Sequence, residues 1–127
     1  MTGHDEFKKS EKKYREIADK SLDGIIRTTI KDGRIISVNP AYCKLSEYDA
    51  ENLIGESVIE LGIILNNEQR RSAVAHLEKY GGLHDFEFNI RTKSGKVWAM
   101  GGTVRAIYDD DGSAIELEGI VRNNLYP

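Results

Sequence analysis

Few side chains in this sequence could do chemistry, and each one also has a plainer use. Cys43 is the only cysteine and lies in Ala41-Tyr42-Cys43-Lys44-Leu45. A lone thiol excludes an internal disulfide and any zinc centre built from several thiolates. Among apolar neighbours Cys43 reads as a small buried filler. His76 falls on a predicted helix, about 100° around the axis from Leu77, so it flanks the inward stripe rather than centring on it. An axial metal ligand must point into the interior, and His76 therefore reads as a solvated histidine. His84, just before a strand, reads the same way. Glu116 and Glu118 share one face of a predicted strand and read as a solvated pair, since only burial or a charged neighbour would set their pKa values apart for acid–base work. Asp109-Asp110-Asp111-Gly112 fails as a calcium loop, because Ile107 stands where the first carboxylate is required; it is a polar turn. No glycine-rich phosphate loop, Gly-x-Ser-x-Gly elbow or His-Glu-x-x-His occurs. Catalysis has no visible seat, and the segment is not expected to be an enzyme.

The elements that would position these residues are legible. Ile25 to Ile30 and Ile35 to Val38 are rich in β-branched residues, and Asp32-Gly33 between them suits a two-residue hairpin turn. Asn39-Pro40 ends the second strand and opens a short helix to Leu45. Asp49 is placed to cap another helix, and Gly55 and Gly62 bracket a loose segment. Asn66 or Asn67 restarts a helix through Tyr80, with Ala73, Val74, Leu77 and Tyr80 as its inward stripe and Gly81-Gly82 as its stop. Three antiparallel strands follow: His84 to Arg91, with Phe86, Phe88 and Ile90 inward; Lys96 to Tyr108; and Ala114 to Arg122, with Ile115, Leu117, Gly119 and Val121 on one face. Ahead of all this, residues 5 to 20 read as an amphipathic helix with a narrow seam of Phe7, Tyr14, Ile17 and Ala18, its wet face supported by Glu11–Arg15 and Glu16–Lys20 pairs.

Size and composition bound the function. One domain of 127 residues, 39% hydrophobic and 31% charged, is an ordinary soluble globular chain. No apolar run approaches a membrane span and no secretory signal is visible, so the expected location is cytoplasmic, with no membrane contact by this segment. A net charge of −3 with both signs interspersed argues against nucleic acid, which demands a concentrated basic patch.

Asp23-Gly24-Ile25, then Asp32-Gly33, Ile35, Asn39 and Ala41, followed near the end by Lys93-Ser94-Gly95-Lys96-Val97-Trp98, Asp111-Gly112 and Glu118-Gly119-Ile120-Val121-Arg122, resemble the PAS domain, a small sensory module of bacterial and archaeal signalling proteins. The resemblance covers about residues 12 to 122. It implies an α+β fold, a five-stranded antiparallel sheet with helices on one face, and a division into an N-terminal flanking helix (1–20), the PAS domain (21–122) and the start of a C-terminal linker (123–127). It also implies a role in signal transduction. Such a domain binds a small ligand or mediates dimerisation, and passes the signal to an output domain of the same polypeptide, such as a histidine kinase or diguanylate cyclase. The expected ligand pocket is formed by Tyr42, Leu77, Phe88, Trp98 and Met100, with Trp98 more often core than contact. The signal itself cannot be read. Neither haem nor flavin is expected: His76 flanks its stripe, and the Asn-Cys-Arg-Phe-Leu-Gln motif of the light-sensing branch is missing around Cys43. The seam of residues 7 to 18 makes a homodimer through the N-terminal helices the expected partnership, and a ligand-free structural dimerisation module is the alternative. One departure is visible: the family often continues into Asp-Ile-Thr, where this chain has Asn123-Asn124 and so lacks the charge.

Overall fold

The computed structural model describes residues 12–13, 15–65 and 67–123. A helix α1 is seen over residues 15–20. It is followed by β1 (Gly24–Thr29), β2 (Ile35–Val38), α2 (Pro40–Ser46), α3 (Ala50–Leu53), α4 (Asn67–Tyr80), β3 (Gly82–Arg91), β4 (Val97–Tyr108) and β5 (Ala114–Asn123). The strands form one antiparallel sheet in the order β2-β1-β5-β4-β3, so the first and last strands meet inside it, where β1 pairs with β5. The expected α+β sheet with helices on one face is found.

The first hairpin differs from its sequence reading. Its connection runs over residues 30–34 rather than two residues, and the register shifts between Arg27 and Thr28. Gly33, at φ 66°, supplies the left-handed step, and Thr29 Oγ1 binds the Asp32 carboxylate across the turn. Gly24 has a steric reason instead. A Cβ there would lie 3.1 Å from the Tyr42 Cα and 3.0 Å from Leu45, so its missing side chain lets α2 lie close on β1.

Asn39 is the junction of these elements. It caps α2 by accepting from Tyr42 N at 2.9 Å and also accepts from Ile25 N at 2.8 Å. Its amide nitrogen donates to the carbonyls of Ala18 at 2.8 Å and Asp23 at 2.9 Å. One buried side chain thus ties α1, β1 and α2 together and satisfies all four of its own polar sites. Asp49, by contrast, stands at the start of α3 without a side-chain capping bond, contrary to its sequence reading.

The segment between Gly55 and Gly62 is not loose. Gly55 N donates to Ile35 O at 2.8 Å and Val58 N to Gly33 O at 2.9 Å, while Arg91 N donates to Ile63 O at 2.9 Å. The first two fasten it to β2 and the turn before it, and the last ties the residue just past Gly62 to β3, so each edge strand gains a backbone partner. Val58 and Ile63 then complete a core of Ile26, Ile35, Tyr42, Leu53, Ile90, Met100 and Val121 on the helix-bearing face.

The opposite face of the sheet is more polar. Arg27 pairs with Glu116 at 2.5 Å and Arg105 with Glu118 at 2.7 Å. The glutamates are therefore not a solvated pair: Glu118 is buried, each has an arginine, and what decides this is the facing strands rather than anything along β5. Of the N-terminal seam, Ala18 is buried and Ile17 is exposed, while Phe7 and Tyr14 lie outside the described residues. No helix among the described residues is long and apolar enough to cross a membrane.

Candidate ligand cavity

Between α4 and the inner face of the sheet lies a cavity of about 110 Å³. The helix contributes Gln69, Arg70, Ala73, Val74 and Leu77, positions spaced so that they share one face. Strands β1, β3, β4 and β5 supply Ile26 and Thr28, Phe86 and Phe88, Val104, and Leu117, Gly119 and Val121; Tyr42, Val58 and Ile64 close the remaining side. The alternation of these strands explains the set. In β5, Leu117, Gly119 and Val121 face the cavity, whereas Glu116, Glu118 and Ile120 face away; Ile115, expected inward, is largely exposed.

Most of the wall is apolar. Arg70, the charged residue on it, is pinned at the edge, where its Nη2 donates to the carbonyls of Thr29 and Ile30 at 3.2 Å each, and partial burial lowers its pKa. Gln69 Nε2 donates to Glu87 O at 2.9 Å. Burial pushes the Tyr42 phenol far above its ordinary pKa, so it remains a neutral hydroxyl. An apolar cavity with few polar groups is the usual form of a small-molecule site. Among the described residues no group of three or more His, Cys, Asp or Glu side chains is arranged to hold a metal ion.

On the other face, α1 and the sheet bound an open groove of about 860 Å³ whose lining includes Arg15, Asp19, Arg27, Arg105 and Glu118.

The amino-acid sequence matches a protein-family model for the PAS domain over residues 22–124. The chain is a PAS domain. Solved PAS domains share its fold. One from Colwellia psychrerythraea has a TM-score of 0.78 at 23% identity, covering 88% of this chain and 94% of that one. The PAS domain of a two-component sensor histidine kinase gives 0.74 at 15% identity, covering 97% and 100%. A domain of a sensory box sensor histidine kinase/response regulator from Geobacter sulfurreducens gives 0.69 at 19%, covering 89% and 93%. No curated protein sequence matches the chain.

The PAS fold separates the five residues singled out from sequence. Tyr42, Leu77 and Phe88 are on the cavity wall, whereas Met100 is wholly buried in the core and Trp98 packs half-buried against it. Ala73 and Val74 line the cavity, on the inward side their helical spacing implied, but Tyr80, the last member of that stripe, is exposed. His76 is exposed, with its ring 4.6 Å from that of Tyr80. His84 is exposed too, and half-buried Cys43, its thiol pKa raised chiefly by burial, is not part of the cavity wall. Thr28 and Arg70 also line the cavity and are not among the residues expected from sequence. The inward parity of β1 could have flagged Thr28, but nothing local distinguishes Arg70 from Arg71 beside it.

Proposed function

We propose that this PAS domain is a sensory module that binds a small ligand in the cavity between α4 and the sheet, and signals to an output domain by changing how its flanking segments pack. The observation that carries the reading is the cavity itself, a mostly apolar space left unfilled between α4 and the sheet where close packing is the rule. Asn39 offers the link outward: Tyr42 lines the cavity, and the side chain that caps its backbone also holds the carbonyl of Ala18 in α1. The chain's likeness to the PAS domain of a sensor histidine kinase and to a domain of a sensor histidine kinase/response regulator supports a kinase as the output. The ligand is expected to raise the thermal midpoint, by up to about 3 kcal/mol of stability at a hundredfold excess over Kd. Filling the cavity with Ala73→Leu is expected to abolish that rise while leaving a folded protein, as seen in its circular dichroism. A rise that survives the filled variant would place the ligand elsewhere.

Association of two copies is favoured by a separate observation. Ile17, Ile36 and Ile120 are exposed on α1 and the outer strand faces, beside the open groove. In this reading the domain pairs with a copy of itself through α1 and that face. Light scattering of the protein should give a dimer mass, falling to monomer for Ile17→Glu/Ile120→Glu. A dimer unaffected by both charges would sink the arrangement.

A further inference from the structure

Two hydroxyls in the inner cavity have nothing to bind. Thr28 and Tyr42 are each 3% exposed, and both line it. Thr28 sits on the inner face of β1, opposite Leu117 on β5 and Ile35 on β2, with apolar neighbours on either side. Tyr42 projects from α2. Among the described residues neither side-chain oxygen has a hydrogen-bond partner. Among those residues Arg27 Nε is the sole side-chain polar atom that is both fully enclosed and unpartnered, so each hydroxyl keeps contact with open space. For residues buried to this degree, that space is the cavity they line. Buried hydroxyls almost always find a partner, tyrosine's included, and each one left unpaired opposes folding.

We infer that the cavity takes an uncharged carbonyl compound of about five non-hydrogen atoms, whose oxygen accepts hydrogen bonds from Thr28 Oγ1 and Tyr42 Oη while its carbon skeleton lies against Val74, Leu77, Phe88 and Leu117. The inference rests on the cavity being the ligand site. Size follows from volume: a cavity of about 150 Å³ holds benzene, so 110 Å³ has room for roughly four or five heavy atoms. The absence of charge follows from the surroundings. The same burial that keeps the Tyr42 phenol protonated opposes a carboxylate beside it, and the Arg70 head is already held by two backbone carbonyls over the hairpin. A carbonyl oxygen has two lone pairs and accepts from both hydroxyls, whereas a hydrocarbon of equal size would leave them bare.

Butan-2-one is the probe, with 2-methylbut-1-ene, which replaces the C=O by C=CH2, as its apolar isostere and propanoate as its anionic counterpart. Each is titrated into the ¹⁵N-labelled protein while cavity amides are followed by NMR. The ketone should bind more tightly than the other two. Thr28→Val and Tyr42→Phe should each weaken it about two- to tenfold, the worth of one neutral hydrogen bond, and leave the alkene unchanged. With no ligand, both variants should melt at or above the wild-type temperature, because each removes an unpaired buried hydroxyl. Equal affinity for ketone and alkene, unaltered in the variants, would overturn the carbonyl assignment and leave the cavity as an apolar ligand site. A fall in melting temperature for both variants would show that the hydroxyls already have partners, and would also overturn it. If none of the probes moves the cavity amides, the cavity holds at most ordered water, and the ligand reading of this site falls with the inference.

Discussion

Asn39→Asp is expected to unfold the domain at neutral pH, although it changes one nitrogen to one oxygen. In the native fold the Asn39 amide donates to Ala18 O and Asp23 O, at 2.8 and 2.9 Å. A carboxylate puts an acceptor against these two acceptors, in a site where the native side chain is almost wholly buried. Asn39→Ala is milder. It leaves two amides and two carbonyls without their partner, at about 1–3 kcal/mol each before water enters the space, so a net loss of about 3–5 kcal/mol is expected. That is a large share of the roughly 5–15 kcal/mol that holds such a domain together. The aspartate variant should carry a distinctive pH dependence. Its folded pKa is raised above the unfolded value, since the fold tolerates only the neutral acid. The cost of ionisation is therefore absent below the unfolded pKa of about 3.9 and grows as pH rises above it, leaving at low pH only the loss of one of the two donated bonds. Urea unfolding at pH 4 and pH 7 decides the matter. An aspartate variant as stable as wild type at pH 7 would mean that Asn39 is not the junction described.

The second large effect is expected at Leu77, the one wholly buried residue of α4. Leu77→Ala should cost about 2–5 kcal/mol, because the lost transfer energy is joined by the cost of the space left behind, here an enlargement of a cavity that already exists. Tyr80→Ala, one turn later, should change stability by no more than about 0.5 kcal/mol, since its side chain is mostly in solvent. Chemical denaturation of the pair gives the contrast directly, and equal losses would mean that α4 is rotated relative to the sheet from the orientation described. The leucine variant should also accept a bulkier ligand than the wild type, which ties the stability of α4 to the selectivity of the site.

Much of the architecture was legible because it is local. β-Branched runs on either side of Asp32-Gly33, proline after Asn39, the stripe from Ala73 to Leu77 with glycine beyond it, and alternation through Phe86, Phe88 and Ile90 are all properties of neighbours a few residues apart, and they gave the strands, the helices and their order. Motif order along the chain did the same for the family. What the sequence could not show were partners brought from far away. Asn39 read as a strand end, yet its bonds reach back 14 to 21 residues to Ile25, Asp23 and Ala18. Gly55 to Gly62 read as loose because its backbone partners, Ile35 and Gly33, lie on β2 and the turn before it, far back along the chain. Glu118 read as solvated because its arginine stands on the adjacent strand, 13 residues earlier. Phe88, Trp98 and Met100 have the same inward parity and the same large apolar surface. Periodicity assigns a face, but where on that face the cavity lies depends on how far α4 extends across the sheet, which only the packed structure decides. The same holds for the hydroxyls of Thr28 and Tyr42: a residue's type says that it can hydrogen-bond, and only the tertiary structure leaves it facing an empty space.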